Sequence, residues 1–137
     1  AEGLRLTPRP LELSNWQRRI GKLEAPDRNV RVGIVGKYIE LQDSYISIAE
    51  ALLHAAASEG VGVDISWIAA ESLSTDQVAP CLEGLHGILI PGGFGHRGVE
   101  GKLEAVEYAR THGIPYFGLC LGLQCAVIEF ARNVPFH

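Results

Sequence analysis

A cysteine with a glycine two positions away on each side is the part of this sequence best suited to nucleophilic chemistry. In the stretch PYFGLCLGLQC, residues 115–125, Cys120 follows Gly118 and precedes Gly122. A nucleophile on a sharp turn between a strand and a helix needs small residues at these two positions, because the backbone segments on either side of it approach each other closely. The pattern therefore predicts a nucleophile elbow with Cys120 at its tip.

The predicted elbow would also provide the electrostatics that a thiolate needs. A sulfur at a helix N-terminus lies at the positive end of the helix dipole, which favours thiolate over thiol. The amide of Leu121 would then be free to donate to an oxyanion. The alternative is a buried structural cysteine, since free cysteines are among the most buried residues. We prefer that alternative for Cys81 and Cys125, and the nucleophile interpretation for Cys120.

A cysteine nucleophile needs a general base, which is usually a histidine held in place by an acid. The sequence has five histidines: His54, His86, His96, His112 and His137. The first lies inside a predicted helix, the second at the start of a predicted strand and the fourth at a helix end, so we interpret them as surface or core residues. His96 lies in a glycine-rich loop where an approach to the cysteine is feasible, although loop histidines are usually solvated. None is a convincing base.

The glycine-rich stretch IPGGFGHRGVEGK, residues 90–102, contains the pattern G-x-G-x-x-G from Gly93 to Gly98. In a dinucleotide-binding loop an acidic residue follows about 20 positions later and binds the ribose. Here no Asp or Glu lies between Glu107 and Glu129, so that interpretation fails. A phosphate-binding P-loop fails as well, because Gly36-Lys37 is followed by tyrosine and lacks an upstream glycine at the right spacing.

A different function for these glycines follows from the order of the predicted elements. The loop and the cysteine each come directly after a strand, and the carboxyl ends of parallel strands meet at one edge of a sheet. The amides of Gly92 and Gly93 would then face the sulfur and complete an oxyanion hole. Gly95, Gly98 and Gly101 would shape the loop into its helix. The alternative is a flexible turn without a function.

The elements that must position these residues alternate between strands and helices. Apolar, β-branched runs predict strands, and apolar residues at helical spacing predict helices. We expect strands at 30–36, 61–68, 85–91 and 114–120, and helices at 44–58, 74–81, 99–112 and 121–133. Asp43 is the expected N-cap of the first of these helices, Gly60 its terminator, and Gly113 the terminator of the third. This alternation predicts an α/β fold with a parallel sheet covered by helices on both faces.

Composition limits the remaining possibilities. The chain has 137 residues, 47% of them apolar, and a net charge of −4, with no basic cluster that would favour nucleic acid. No apolar run is long enough to span a membrane. Three irregularly spaced cysteines suit a reducing cytosol, so we expect a cytoplasmic protein. Residues 1–29, with three prolines, read as an extended linker that contains a short helix at about Asn15–Leu23.

Three long blocks resemble a known family. They are VGKYIELQDSYISIAEAL (35–52), IPGGFGHRGVEGK (90–102) and IPYFGLCLGLQCAVIEFARNV (114–134). PGGFG followed by GLCLGLQ is similar to the class I glutamine amidotransferases, and the three blocks together resemble the glutaminase domain of the CTP synthase family. The segment LELSNWQRRI resembles the linker that precedes that domain in the family. The resemblance implies a flavodoxin-like parallel sheet, here truncated in its C-terminal half, with a linker at 1–29 and the N-terminal part of the domain at 30–137.

The resemblance also implies roles for individual residues. Cys120 would attack the side-chain amide of L-glutamine, and the amides of Gly93 and Leu121 would hold the oxyanion. Gly118 and Gly122 would be the elbow glycines. The implied glutamine-binding residues are Gly92, Gly93, Phe94, Cys120, Leu121 and Gln124. No metal site is implied within this chain.

In the family, the released ammonia reaches a synthetase domain of the same polypeptide that uses ATP and Mg²⁺ to convert UTP to CTP. GTP activates the glutaminase, and family members are homotetramers. The His–Glu pair of the triad and further glutamine-binding residues would lie beyond residue 137, so we expect this chain alone to hydrolyse glutamine poorly. Two alternatives stay open. One is another class I amidotransferase or related cysteine hydrolase, and the other is a non-catalytic binding or assembly module.

Overall fold

A computed structural model describes residues 10–134, apart from the side chain of Gln42. Within this range the chain forms five α-helices and four β-strands: α1 (Ser14–Glu24), β1 (Asn29–Gly36), α2 (Ile46–Glu59), β2 (Gly62–Ala69), α3 (Thr75–Leu82), β3 (Gly87–Ile90), α4 (Val99–His112), β4 (Tyr116–Gly118) and α5 (Leu121–Asn133). Short 3-10 turns at Gln42–Tyr45 and Ala70–Ser72 lead out of β1 and β2. No helix formed by these residues combines the length and apolarity that crossing a membrane requires.

The four strands form one parallel sheet in the order β2-β1-β3-β4. The first crossover moves in one direction from β1, and the later ones move in the other. Since such crossovers are right-handed, helices from the two directions cover opposite faces of the sheet. Accordingly α2 packs on β2 and α1, whereas α4 packs on α3, α5 and β3. The predicted α/β fold with a flavodoxin-like parallel sheet is confirmed.

The main core lies between the sheet and the layer formed by α3, α4 and α5. It joins Val35 and Ile90 of the central strands to Leu82 of α3, Leu103 of α4 and Cys125 of α5. Burial of such side chains contributes roughly 1.5–3 kcal/mol each. This core therefore holds the two helices that follow β3 and β4 firmly against the sheet, at the edge where the candidate site lies.

The predicted elements agree well with the observed ones. The bounds of α4 and α5 are those expected from the sequence, and the predicted helix at about Asn15–Leu23 is α1. Gly60 and Gly113 end α2 and α4 in the left-handed conformation, with φ of 71° and 65°. Glycine adopts that conformation without the steric cost that a Cβ adds.

Two predictions were wrong. Asp43 does not cap α2, because residues 42–45 form a 3-10 turn and the helix begins only at Ile46. The buried Tyr45 organises this turn instead, since its hydroxyl accepts hydrogen bonds from the amides of Lys37 and Tyr38 at 3.1 and 3.2 Å. Cys81 is not a core cysteine. It is exposed, because α3 buries Val78 and Leu82 on its opposite face.

An ion pair with one buried partner ties α5 to α4. Glu129 is 1% exposed and accepts hydrogen bonds from Arg110 Nη2 at 2.6 Å and Nε at 3.0 Å, and from Asn133 at 3.0 Å. The hydrogen bonds from Arg110 hold the pKa of the Glu129 carboxyl below its ordinary value. A bidentate guanidinium is the partner best suited to a carboxylate in such a position.

Replacing Arg110 by methionine is expected to lower the free energy of unfolding by several times the loss in the control below, because it leaves the buried Glu129 carboxylate without its cation. The matched control is Arg132→Met, which breaks an exposed ion pair with Glu100 at 3.0 Å and should cost about 0–1 kcal/mol. Urea unfolding at pH 7 measures both values. Since the pKa of Glu129 is lowered in the folded state, its stabilisation is present above the unfolded pKa and is lost as the pH falls through the folded pKa. Equal losses in the two variants would contradict this expectation.

Candidate active site

Cys120 lies at a strained turn between β4 and α5. Its backbone angles are φ 52° and ψ −106°, and among the residues that the structure describes it is the one non-glycine residue with positive φ. Such strain persists only where the surrounding structure enforces it, and it is typical of a nucleophile elbow. Cys120 occupies the N-cap of α5, its carbonyl accepts from the Gln124 amide at 3.2 Å, and the residue is exposed.

The two glycines beside the cysteine are required by the backbone that surrounds them. A Cβ on Gly118 would lie 2.5 Å from the amide nitrogen of Leu123, in the first turn of α5. A Cβ on Gly122 would collide with the carbonyl oxygen of Ile90 in β3. Since both obstacles are main-chain atoms, no side-chain rotation relieves them. The elbow therefore packs directly against its neighbouring strand, which fixes the position of the sulfur relative to the sheet.

Hydrogen bonds hold the elbow in this position. The amide of Leu119 donates to the Ile90 carbonyl at 2.9 Å, which extends the pairing of β3 with β4 up to the turn. The hydroxyl of Tyr116 donates to the Gly122 carbonyl at 2.6 Å. Burial raises the pKa of Tyr116, so the hydroxyl keeps its proton and remains a donor. The sequence held no signal for this role of Tyr116, because a tyrosine in a strand is equally well explained as an ordinary core residue.

The glycine-rich loop between β3 and α4 lies beside the cysteine. A Cβ on Gly92 would be 3.4 Å from Cys120 Cβ and 3.9 Å from Cys120 Sγ, and a Cβ on Gly93 would be 3.8 Å from Leu121 Cδ2. These distances arise because β3 and β4 are neighbours whose carboxyl ends meet at one edge of the sheet. Gly95 and Gly98 adopt positive φ of 81° and 75°, and Gly98 is the N-cap of α4.

The remaining predicted glutamine-binding residues surround this junction. Phe94 lies in the loop and is 92% exposed, so it presents a bare aromatic ring at the edge of the site. Leu121 and Gln124 lie in the first turn of α5, the former half-buried and the latter exposed. The fold thus brings all the predicted site residues to one edge of the sheet. Their individual roles stay predictions.

One residue beside the loop was missed in the sequence. Lys102, in the first turn of α4, is 2% exposed, and its Nζ would lie 3.8 Å from a Cβ on Gly93. Burial lowers the pKa of this lysine, Cys125 raises it, and the neighbouring Lys37 lowers it further. In the sequence a lysine after V-E-G reads as a solvated helix residue, so only the packing around α4 reveals it.

The described histidines differ in how they are engaged. The Nδ1 atom of His86 accepts from the Arg31 amide at 2.9 Å, and the His112 ring stacks on Tyr108. His54 is an exposed residue of α2, and His96 is exposed within the glycine-rich loop. His137 lies outside the described residues. His96 is thus the described histidine that shares a loop with the candidate site.

Comparison with known proteins identifies the family in which this arrangement of loop and cysteine occurs. The model of the family described as glutamine amidotransferase class-I matches residues 40–135, about two thirds of the chain and a range that includes both the glycine-rich loop and Cys120. The chain belongs to the class I glutamine amidotransferases. The family predicted from the sequence blocks is therefore confirmed.

Two curated relatives of this amidotransferase chain are CTP synthases. A CTP synthase of Chloroflexus aurantiacus is 51% identical over 133 residues, and a CTP synthase of Gloeothece citriformis is 50% identical over the same length. These matches cover 97% of the chain but only 24% of each relative, so the chain spans about a quarter of their length.

A solved structure supports the same conclusion for the fold. The chain resembles the glutaminase domain of Trypanosoma brucei CTPS with bound acivicin, with a TM-score of 0.71 and 44% sequence identity. The match covers 77% of the chain and 41% of that domain. At this identity the likeness extends beyond a shared topology. The predicted resemblance of this amidotransferase to the CTP synthase glutaminase domain is thereby confirmed.

Proposed function

We propose that this chain carries the nucleophile side of the glutamine-hydrolysing site of a CTP synthase. One observation carries the proposal: the strained Cys120 lies directly against the Gly92 position, 3.9 Å from Sγ to a Cβ built there, in a chain about 50% identical to CTP synthases. A nucleophile beside a bare, glycine-lined backbone suits attack on a small amide whose oxygen must be held by main-chain donors.

The reaction begins when the Cys120 thiolate attacks the carbonyl carbon of the glutamine side-chain amide. A C–S bond forms, and one electron pair of the C=O bond moves to oxygen, where the Gly93 and Leu121 amides stabilise the oxyanion by donating hydrogen bonds to it. The electron pair on oxygen then re-forms the C=O bond as the C–N bond breaks. The nitrogen takes up the proton that the general base removed from the thiol and leaves as ammonia, and a γ-glutamyl thioester remains. Water hydrolyses the thioester to glutamate and restores the thiol, so glutamine and water give glutamate and ammonia.

Residues at the same edge of the sheet would bind the substrate. Gly92, Phe94 and the first turn of α5 from Leu121 to Gln124 would surround the glutamine. The general base would be a histidine, either His96 of the glycine-rich loop or a residue elsewhere in the full-length polypeptide. Because the loop and the elbow are both anchored to β3 and β4, the nucleophile and the oxyanion donors are positioned before substrate binds, which reduces the reorganisation that the reaction requires.

The proposal extends to the full-length protein. Residues 1–29 would be an interdomain linker and residues 30–137 part of the glutaminase domain. Ammonia would reach a synthetase domain that uses ATP and Mg²⁺ to convert UTP to CTP, with GTP as activator and a cytoplasmic homotetramer as the assembly. No group of three or more acidic, histidine or cysteine side chains within residues 10–134 could hold a metal ion.

Glutaminase activity and site-specific labelling test the proposal in the full-length protein. We expect release of glutamate and ammonia from L-glutamine, and covalent labelling of Cys120 by a diazoketone analogue of glutamine ahead of Cys81 and Cys125. Peptide mass spectrometry identifies the labelled cysteine, and excess glutamine should protect it. Preferential labelling of the exposed Cys81 would contradict the assignment, because simple accessibility would then explain the reactivity.

A second candidate is another class I amidotransferase with a different acceptor for the ammonia. It shares the glutaminase chemistry, so the labelling experiment does not separate the two. Growth of a cytidine-requiring bacterial strain that carries the full-length gene does separate them. Growth without cytidine supports CTP synthesis, whereas glutaminase activity without such growth would favour the second candidate.

A further inference from the structure

Lys102 is buried beside the candidate oxyanion hole without an acidic partner. It is 2% exposed, and a Cβ on Gly93 would lie 3.8 Å from its Nζ. The three ion pairs found within residues 10–134 join other residues, so none neutralises this ammonium. A buried charge is normally paired, because removal from water without a partner is costly. No buried side-chain nitrogen or oxygen within residues 10–134 lacks a hydrogen-bond partner, so the Nζ atom at the end of the buried Lys102 stem is not sealed off from water or polar groups. A charge that lies beside a functional loop without an acidic partner still needs a physical explanation.

The position within α4 adds to the cost of this charge. Lys102 is the fourth residue of the helix, close to its N-terminus, where the helix dipole disfavours cations. The neighbouring Lys37 also repels it, and burial lowers its pKa. Methionine would fill the same space without these penalties, since apolar replacement of a buried charge is often neutral or stabilising. The charge therefore disfavours the resting structure.

The groups around α4 provide no permanent negative charge to pair with Lys102. From α5, Cys125 faces the ammonium, and burial raises the pKa of that thiol, which keeps it neutral. The other titratable groups around α4 are engaged elsewhere or face solvent. On α4 itself, Glu100 pairs with Arg132 and Glu104 accepts from Thr75. On the elements packed against it, Glu71 pairs with Arg97, Glu129 pairs with Arg110, Tyr116 donates to the Gly122 carbonyl, and Asp76 and Cys81 are exposed. The negative charge that Lys102 can stabilise is one that arises only during a reaction.

We infer that Lys102 is a positioning residue of the glutamine site, whose ammonium acts from behind Gly93 to stabilise the negative charge that develops on the amide oxygen. The inference rests on the proposed function, since that oxygen is the one held by the Gly93 amide. Lys102 does not touch the substrate. Its charge acts across Gly93, which has no side chain of its own and leaves Nζ 3.8 Å from the place where a Cβ would stand.

Such a charge affects the transition state more than the bound substrate. The amide oxygen of glutamine carries only a partial charge, whereas the tetrahedral intermediate carries a full one. Lys102→Met should therefore lower kcat by about tenfold or more and leave KM within a few-fold. A residue that only supports the loop would instead affect every reaction of Cys120.

The pH dependence gives a second signature. Lys102 stabilises an oxyanion only while it is protonated, so kcat should fall as the pH rises through its lowered pKa. That alkaline limb should disappear in Lys102→Met. In Lys102→Arg the limb should move to higher pH, because a guanidinium keeps its proton throughout the accessible range.

The experiment compares wild-type, Lys102→Met and Lys102→Arg full-length protein in glutamine hydrolysis and in alkylation of Cys120 by iodoacetamide, which forms no oxyanion. The matched control is Lys22→Met on α1, a remote lysine whose Nζ contacts the Ser58 carbonyl at 3.3 Å. We expect about tenfold slower hydrolysis by Lys102→Met with alkylation within twofold of wild type, and no change in Lys22→Met.

Three results would overturn the inference. If Lys102→Met kept the wild-type kcat and the alkaline limb, the charge of Lys102 would have no role in the reaction. Parallel loss of hydrolysis and alkylation would show a structural role only. Alkaline limbs that coincide in wild type and Lys102→Arg would also overturn the inference, even if Lys102→Met failed to fold, because a guanidinium keeps its proton in this range. Absence of glutamine hydrolysis by the wild type would instead refute the proposed function, and the inference with it.

Discussion

Replacing Cys120 by alanine is expected to lower kcat for glutamine hydrolysis in the full-length protein on the order of 10⁴-fold or more. The reason is that the proposed route passes through a thioester with the Cys120 sulfur, and alanine supplies no atom that could form it. Alanine also preserves the backbone, because the methyl group occupies the Cβ position that the native turn already accommodates. Ammonia release from glutamine, followed with a coupled assay, measures the loss.

The control for this variant is Cys81→Ser, which changes an exposed thiol on α3, remote from the elbow. It should leave kcat and KM within twofold of the wild type. CTP formation from added ammonium salt should survive in Cys120→Ala, since that reaction bypasses the glutaminase. Hydrolysis by Cys120→Ala at more than about a tenth of the wild-type rate would be incompatible with Cys120 as the nucleophile.

The second large effect is expected from Gly122→Ala, which should lower the free energy of unfolding by about 3 kcal/mol or more and glutaminase activity by at least about a hundredfold. A Cβ at this position collides with the Ile90 carbonyl, so β3 and α5 must separate. That movement shifts the helix N-terminus, and with it Cys120 and the Leu121 amide. Urea unfolding and steady-state kinetics measure the two losses.

Gly21→Ala on α1 is the matched control, because nothing lies within 4 Å of a Cβ at that position. Alanine in a helix interior is favoured over glycine by roughly 0.5–1 kcal/mol, so this variant should be as stable as the wild type or more so. Its activity should not change. If Gly122→Ala kept the stability and activity of Gly21→Ala, the close packing of the elbow against β3 would not hold in solution.

Local patterns in the sequence predicted the helices and strands, and they placed the candidate site residues at the ends of those elements. Strands and helices were recognisable because apolar residues recur at the spacing of each element, and Gly60 and Gly113 marked helix ends through a conformation that glycine favours. The elbow was recognisable from Gly118, Cys120 and Gly122, since its constraint acts over five consecutive residues. Signals of this kind are local, and a sequence displays them directly.

The two wrong predictions concern which face of α3 is buried and which residue organises the turn before α2. Cys81 looked like a core cysteine because of its residue type, yet the face of α3 that packs against α4 is the one with Val78 and Leu82. Asp43 looked like an N-cap, but the buried Tyr45 stabilises a 3-10 turn in its place. Both outcomes depend on contacts outside the helix or turn concerned, which override the preference of a single residue.

By itself, then, the sequence determined the α/β class, the elements, the elbow at Cys120 and the glycines that border it. Tertiary structure decided which of these residues meet. Gly92 and Cys120 are 28 positions apart, and they become neighbours only because β3 and β4 pair in parallel. Lys102 is an ordinary helical lysine until the packing of α4 and α5 buries it beside Gly93. Local patterns encode conformation, whereas proximity and burial arise from long-range packing, which no single segment specifies.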